Sequence, residues 1–128
     1  MVISLVLITL LLFLTIIHLT DQFAYSVNAD NTTCTITGIG TIKETNIIIP
    51  DSIDGYSVTS IGANAFYECK SFTSITIPDS VTSIGDSAFS ACMSLKEVII
   101  PNSVIEIGQG AFRDNFALQT VVVGNKVK

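Results

Sequence analysis

The chain has 128 residues, 48% of them apolar and 13% charged, and a formal net charge of −5. Six Lys and Arg against eleven acids leave no clustered basic face for nucleic-acid phosphates. The single histidine, His18, lies in the apolar run that opens the chain, which leaves none in the remainder for a Ser-His-Asp arrangement, and three cysteines outside any C-x-x-C spacing argue against a zinc site.

Val2 to Leu19 is an almost unbroken apolar run with His18 as its only ionisable side chain. The polar stretch after it ends in Val27-Asn28-Ala29, a small-x-small pattern with cleavage expected before Asp30. Residues 1–29 therefore read as a secretory signal peptide, with an n-region that lacks Lys and Arg. The competing reading is an uncleaved N-terminal membrane anchor, for which about 18 apolar residues just suffice. Both place the remainder outside the cytosol, the anchor when it inserts N-terminus-in. With Asp21 removed, ten acids face six bases, a mild acidity expected of a solvated surface.

From Asn31 to Gly40, β-branched residues with glycines after them predict a short strand and a turn. This segment lacks the Pro, Ile-Gly and Ala-Phe landmarks of the later chain, so residues 30–43 are expected to form an N-terminal cap over the first repeat's apolar end. Asn31-Thr32-Thr33 is also an N-glycosylation acceptor triplet, relevant in a eukaryotic host.

Residues 44–128 are repetitive. Ser71 to Phe89 recurs 23 residues later as Ser94 to Phe112, matching at Pro78 and Pro101, at Ile84-Gly85 and Ile107-Gly108, and at Ala88-Phe89 and Ala111-Phe112. A fixed period of this size means a small supersecondary unit stacked on copies of itself. Ile47, Ile49 and Pro50 open the first copy, which carries five extra residues before Ile61-Gly62. Asp54-Gly55 within them predicts a loop or short hairpin. Val121 and Val123 open a last, truncated copy with Gly124 at the proline position.

Strand parity assigns each column a direction. Ile47, Ile49, Ile75, Ile77, Val98, Ile100, Val121 and Val123 point inward in a parallel sheet that each proline terminates. Val58, Val81 and Val104, then Ile61, Ile84 and Ile107, add inward contacts. Gly62, Gly85 and Gly108 suit a positive φ or a close backbone approach, and Phe66, Phe89 and Phe112 fill the far wall. Facing outward are Ile48, Thr76, Ile99 and Val122, flanked by Asn46, Ser74, Glu97 and Thr120 and then by Thr45, Thr73, Lys96 and Gln119. Cys69 and Cys92 share a column that Asn115 continues. Stacking brings the two thiols within disulfide range, and the alternative is a pair of buried apolar thiols. Cys34 is left unpaired on either reading.

The pattern Leu95-x-x-Val98-x-Ile100-Pro101-x-x-Val104-x-x-Ile107-Gly108-x-x-Ala111-Phe112-x-x-Asn115 resembles the treponemal, or BspA-like, class of leucine-rich repeat, and Phe72 to Cys92 fits it more closely still. The resemblance runs from about Glu44 to Lys128. It implies an α/β-type repeat solenoid with short parallel strands on the concave face, a convex side of loops and short helices, and a β-rich N-terminal cap. It further implies a secreted or cell-surface protein engaged in adhesion or protein binding, with a protein ligand such as a host matrix or cell-surface protein, and without enzymatic activity or cofactor.

The outward residues Ile48, Thr76, Ile99, Val122, Asn46, Ser74, Glu97, Thr120 and Lys96 are the expected partner-binding face, an apolar stripe rimmed by small polar groups. Strand propensity alone also accounts for β-branched residues there. A self-associating structural protein, or a truncated non-binding fragment, is the alternative, since the last strand leaves an edge open to pairing. Catalysis finds little support: Asp79 with Asp86 and Asp51 with Asp54 are the nearest carboxylate pairs, and all four sit where turns favour Asp.

Overall fold

The computed structural model describes residues 22–128. The apolar run read as a signal peptide or anchor lies outside the described residues. Ten strands and no helix occur among those described: β1 (Phe23–Val27), β2 (Thr33–Ile39), β3 (Asn46–Ile48), β4 (Ser52–Ile53), β5 (Tyr56–Ile61), β6 (Ser74–Thr76), β7 (Ser83–Ile84), β8 (Glu97–Ile100), β9 (Glu106–Ile107) and β10 (Thr120–Val123).

The 23-residue period places one strand of each copy beside its equivalent in the next. Strands β3, β6, β8 and β10 form a parallel four-stranded sheet in the order β10-β8-β6-β3. Its register runs Ile47↔Ile75↔Val98↔Val121, so residues of one column lie directly opposite each other. The chain leaves this sheet at Pro50, Pro78 and Pro101, which offer no N–H to the ladder.

A second sheet forms where the sequence suggests only more inward contacts. It is six-stranded, ordered β1-β2-β5-β7-β9 with β4 paired to β5, and the pairs Ser60↔Ser83↔Glu106 and Ile61↔Ile84↔Ile107 carry it through the repeats. The core lies between the two sheets. Val58, Val81 and Val104 are fully buried there with Ile47, Ile49, Ile75, Ile77, Val98 and Ile100. The five extra residues of the first copy form the β4–β5 hairpin, in which Asp54 (φ 52°) and Gly55 (φ 87°) supply the two positive φ angles of a type I′ turn.

The remaining side of the coil corrects the expectation of short helices: it is a run of turns. Asn64, Phe66 and Glu68 donate their N–H groups to Asp86, Ala88 and Ser90 of the next copy at 3.0, 2.7 and 2.9 Å. Between them Ala65, Tyr67 and Cys69 donate locally to Gly62, Asn64 and Phe66. Alternate amides are thus committed across copies, and no i→i−4 ladder is left to form. Left-handed residues at Asn64, Ser87 and Gly110, and again at Glu68, Ala91 and Asp114, interrupt each arc twice.

Two ends of the stack differ from expectation for opposite reasons. At the start, the cap is larger than residues 30–43, because β1 pairs antiparallel with β2 from Phe23↔Ile39 to Val27↔Cys34. Phe23 is buried, with its ring edge-on to Phe66 at 6.4 Å. At the other end, Val121 and Val123 are 46% and 51% exposed, whereas Val98 and Ile100 in the same columns are buried. No further copy lies over β10 in the described residues, so burial of these inward positions is incomplete.

The cap is fastened to the first copy by polar bonds as well. The Tyr25 hydroxyl donates to the Asp54 carboxylate, and that bond, then partial burial, pushes Tyr25 up to about 12 from 10.0. In the unfolded chain the phenol loses its proton near 10, while the fold holds it to about 12. The bond's contribution is therefore whole below pH 10 and lost as pH rises from there toward 12. The difference in urea midpoint between the wild-type chain and Tyr25→Phe is expected to shrink through that window. A constant difference from pH 8 to 12 would show that the hydroxyl does not tie the cap down.

Candidate functional site

The outward face of the four-stranded sheet is set by parity. Because Ile47, Ile75, Val98 and Val121 turn inward, the next residue of each strand must turn out. Ile48, Thr76, Ile99 and Val122 are in mutual register and exposed, with Ile48 at 72%, Ile99 at 47% and Val122 at 52%. Adjacent strands lie about 4.8 Å apart, so the column spans roughly 14 Å.

Beside it runs the register Asn46↔Ser74↔Glu97↔Thr120. The Ser74 hydroxyl donates to Asn46 Oδ1 at 2.9 Å and that of Thr73 to the same oxygen at 3.4 Å. The third line, Thr45, Thr73, Lys96 and Gln119, is stacked by backbone bonds from Thr73 N to Thr45 O, Lys96 N to Thr73 O and Gln119 N to Lys96 O. Lys96 and Glu97 are the only charged side chains of the three lines. Eight of the nine residues expected at a binding face thus lie in the first two, in-register lines, with Ile48, Ile99 and Val122 as the apolar members and a polar border at one flank, while Lys96 is exposed one residue before β8.

Positions at the end of the stack add apolar surface that the repeat pattern does not signal. Phe116, in the turn before the last strand, is 81% exposed, and Val121 and Val123 on that strand are about half exposed. A phenylalanine directly after the polar pair Asp114-Asn115 was the available hint.

The chemistry-bearing residues have structural work. Asp54 accepts from Tyr25, and Asp86 Oδ1 accepts the Gln109 N–H at 2.7 Å. Asp51, Asp54, Asp79 and Asp86 all lie at bends or turns. Among the described residues no group of three or more His, Cys, Asp or Glu is placed to hold a metal ion.

Cys34, Cys69 and Cys92 are free thiols. Cys92 donates its S–H to the Phe66 carbonyl at 3.0 Å, and Asn115 Nδ2 makes the equivalent bond to the Phe89 carbonyl at 2.9 Å. At the last two members of the column Cys69, Cys92 and Asn115, a small donor therefore reaches back to the preceding phenylalanine's carbonyl. Burial pushes Cys92 up to about 12, which holds it as the donating thiol. Asn31 lies exposed in the turn between β1 and β2 with φ 55°. In that turn Asp30 accepts from the Thr33 hydroxyl and from the Thr32 and Thr33 amides, which lowers its carboxyl to about 2.

Residues 39–128 match the BspA type leucine rich repeat region in six copies. Among solved structures, the chain is 28% identical to a leucine-rich cell surface protein of Faecalibacterium prausnitzii, over 83% of this chain and 42% of that one, with a TM-score of 0.59. It is 26% identical to a leucine-rich repeat protein of Bacteroides capillosus, over 80% of this chain and 94% of that one, with a TM-score of 0.58. The chain thus spans under half the length of the first and nearly all of the second. No curated protein matches it.

Proposed function

The chain belongs to the BspA-type leucine-rich repeat family, and from that premise we propose that it is a secreted or surface-exposed protein that binds a protein partner through the outward face of the four-stranded sheet. The observation that carries this reading is the in-register column Ile48, Thr76, Ile99 and Val122, exposed on a sheet whose opposite face holds the core. Three exposed apolar side chains in one line, with Thr76 between Ile48 and Ile99 and with Asn46, Ser74, Glu97 and Thr120 along the border, have the mixed composition of a protein-binding patch. The Faecalibacterium relative, a cell surface protein, supports placing this chain at a surface, and a host matrix or cell-surface protein is the class of partner to test.

The test is surface plasmon resonance of the exported chain against a panel of purified matrix proteins, repeated with Ile99→Asp and Val122→Asp combined. At least one member is expected to bind, and the double variant to lose tenfold or more of that affinity with unchanged circular dichroism. No binding across the panel, or equal binding by the variant, would remove the support for this face.

A second reading rests on a different observation. The outer edge of β10 is unpaired among the described residues and its inward valines are half exposed, a composition suited to edge pairing with a second copy. Sedimentation velocity over a hundredfold concentration range separates the two: a constant monomer mass leaves the sheet face as the binding surface.

A further inference from the structure

We infer that the mature chain keeps strand β1, and so that the small-x-small sequence Val27-Asn28-Ala29 is not a processing site. The Ala29–Asp30 bond lies at the apex of a hairpin turn. Asn28 N–H donates to Thr33 O at 2.9 Å, closing that turn, and Asn31 N–H returns to Asn28 O at 3.0 Å. The three bonds to the Asp30 carboxylate order the second half of the turn. Asn28 does more than turn: its side chain donates to the Thr33 hydroxyl and accepts from that of Thr35, both at 2.8 Å.

What lies before the bond is built into the fold. Five residues of β1 pair with β2, and Gly40 N–H donates to Gln22 O at 2.8 Å beyond the end of the strand. Phe23 covers the first ring of the phenylalanine column. Tyr25 packs its ring near Tyr56 and reaches Asp54 on the first hairpin. A chain beginning at Asp30 would lose all of this, leaving the outer edge of β2 without partners and the Phe66 ring without its cover. Signal peptidases read the chain before it folds, so the turn does not shield the bond. The product of cutting there would instead be a repeat stack open at its start, which repeat proteins avoid by capping.

The experiment is intact mass and N-terminal peptide mapping of the full chain exported to an oxidising compartment. The tryptic peptide that ends at Lys43 is expected to begin at or before Gln22, whether the segment upstream is removed or retained. A start anywhere from Phe23 to Asp30 overturns the inference. Ala29→Phe, at an exposed turn position, removes the small residue that a cut after Ala29 would require and is expected to leave the N-terminus unchanged. A shifted N-terminus in that variant also overturns it. Hydrogen exchange supplies an independent reading: the Phe23–Val27 amides bonded to β2 should be protected at least a hundredfold, and exchange at the unfolded rate would show that β1, though present, is no part of the fold.

Discussion

Replacing Phe89 by alanine is expected to cost about 3–5 kcal/mol, the range for removing a buried aromatic ring from a core that cannot collapse. The ring has no solvent exposure. It lies between Phe66, at a centroid distance of 5.0 Å and an interplanar angle of 8°, and Phe112, at 5.2 Å and 7°. Those separations match the spacing of the backbone turns, so each ring sits over its equivalent with no gap to close. Alanine would leave a void walled by two rings on turns held by the Phe66 N–H bond to Ala88 O and the Phe89 N–H bond to Ala111 O, both at 2.7 Å, and the loss includes two stacking contacts of about 0.5–1.5 kcal/mol each. Urea unfolding with an unchanged m-value is the measurement. Phe112→Ala, at a partly buried position, should cost visibly less. Equal costs, or a loss below about 1.5 kcal/mol for Phe89→Ala, would mean that the column is not the spine of the stack.

Gly85→Ala is the second large effect, expected at about 3 kcal/mol, the upper part of the range for forcing extra atoms into a filled interior. A Cβ on Gly85 would lie 2.6 Å from Ala63 N and 2.8 Å from Gly62 C. These are backbone atoms of the preceding turn, held by the Gly85 N–H bond to Ile61 O at 2.8 Å, so no side chain can swing away. The same clash recurs at Gly108 against Asp86 N, which identifies the glycine column as the place where successive turns touch. Gly38→Ala is the control: its Cβ would meet Ala24 Cβ at 3.6 Å, ordinary contact, and a change within about 1 kcal/mol is expected. Thermal or urea unfolding of both variants decides it, and a neutral Gly85→Ala would remove close packing as the reason for glycine.

The repeat itself was legible because its columns obey two simple periodicities at once, two residues within a strand and 23 between strands. That sufficed to assign Ile47 and Ile49 inward and Ile48 outward, and Asp54-Gly55 to a hairpin turn. Of the two roles open to Gly62, Gly85 and Gly108, close approach is the one the structure uses. The second sheet was not legible, since β7 and β9 are two residues long and show no alternation. Nor was the absence of helix in the arcs. It depends on alternate amides bonding to the next copy, which no local pattern announces. Strand β1 was hidden by a small-x-small motif that reads equally well as a cleavage site, and Phe23 becomes recognisable as core only once Phe66 lies against it. Burial of Val121 and Val123 was overestimated because parity assigns direction and says nothing of whether a neighbour covers the position. At the outward face the column was readable from parity, but its partner was not, because side chains that face away from the core are free of the packing that makes the inward columns repeat.

The division of each strand into a structural and an available side is tested most directly by placing a carboxylate on adjacent positions of β8 and measuring urea unfolding. Ile99→Asp is expected to fold with a loss of no more than about 1 kcal/mol, as for a surface strand position. Val98→Asp, which buries a charge with no partner, is expected to unfold the chain or cost more than about 4 kcal/mol. Comparable losses at the two positions would contradict the assignment and, with it, the sheet face as a surface free to bind.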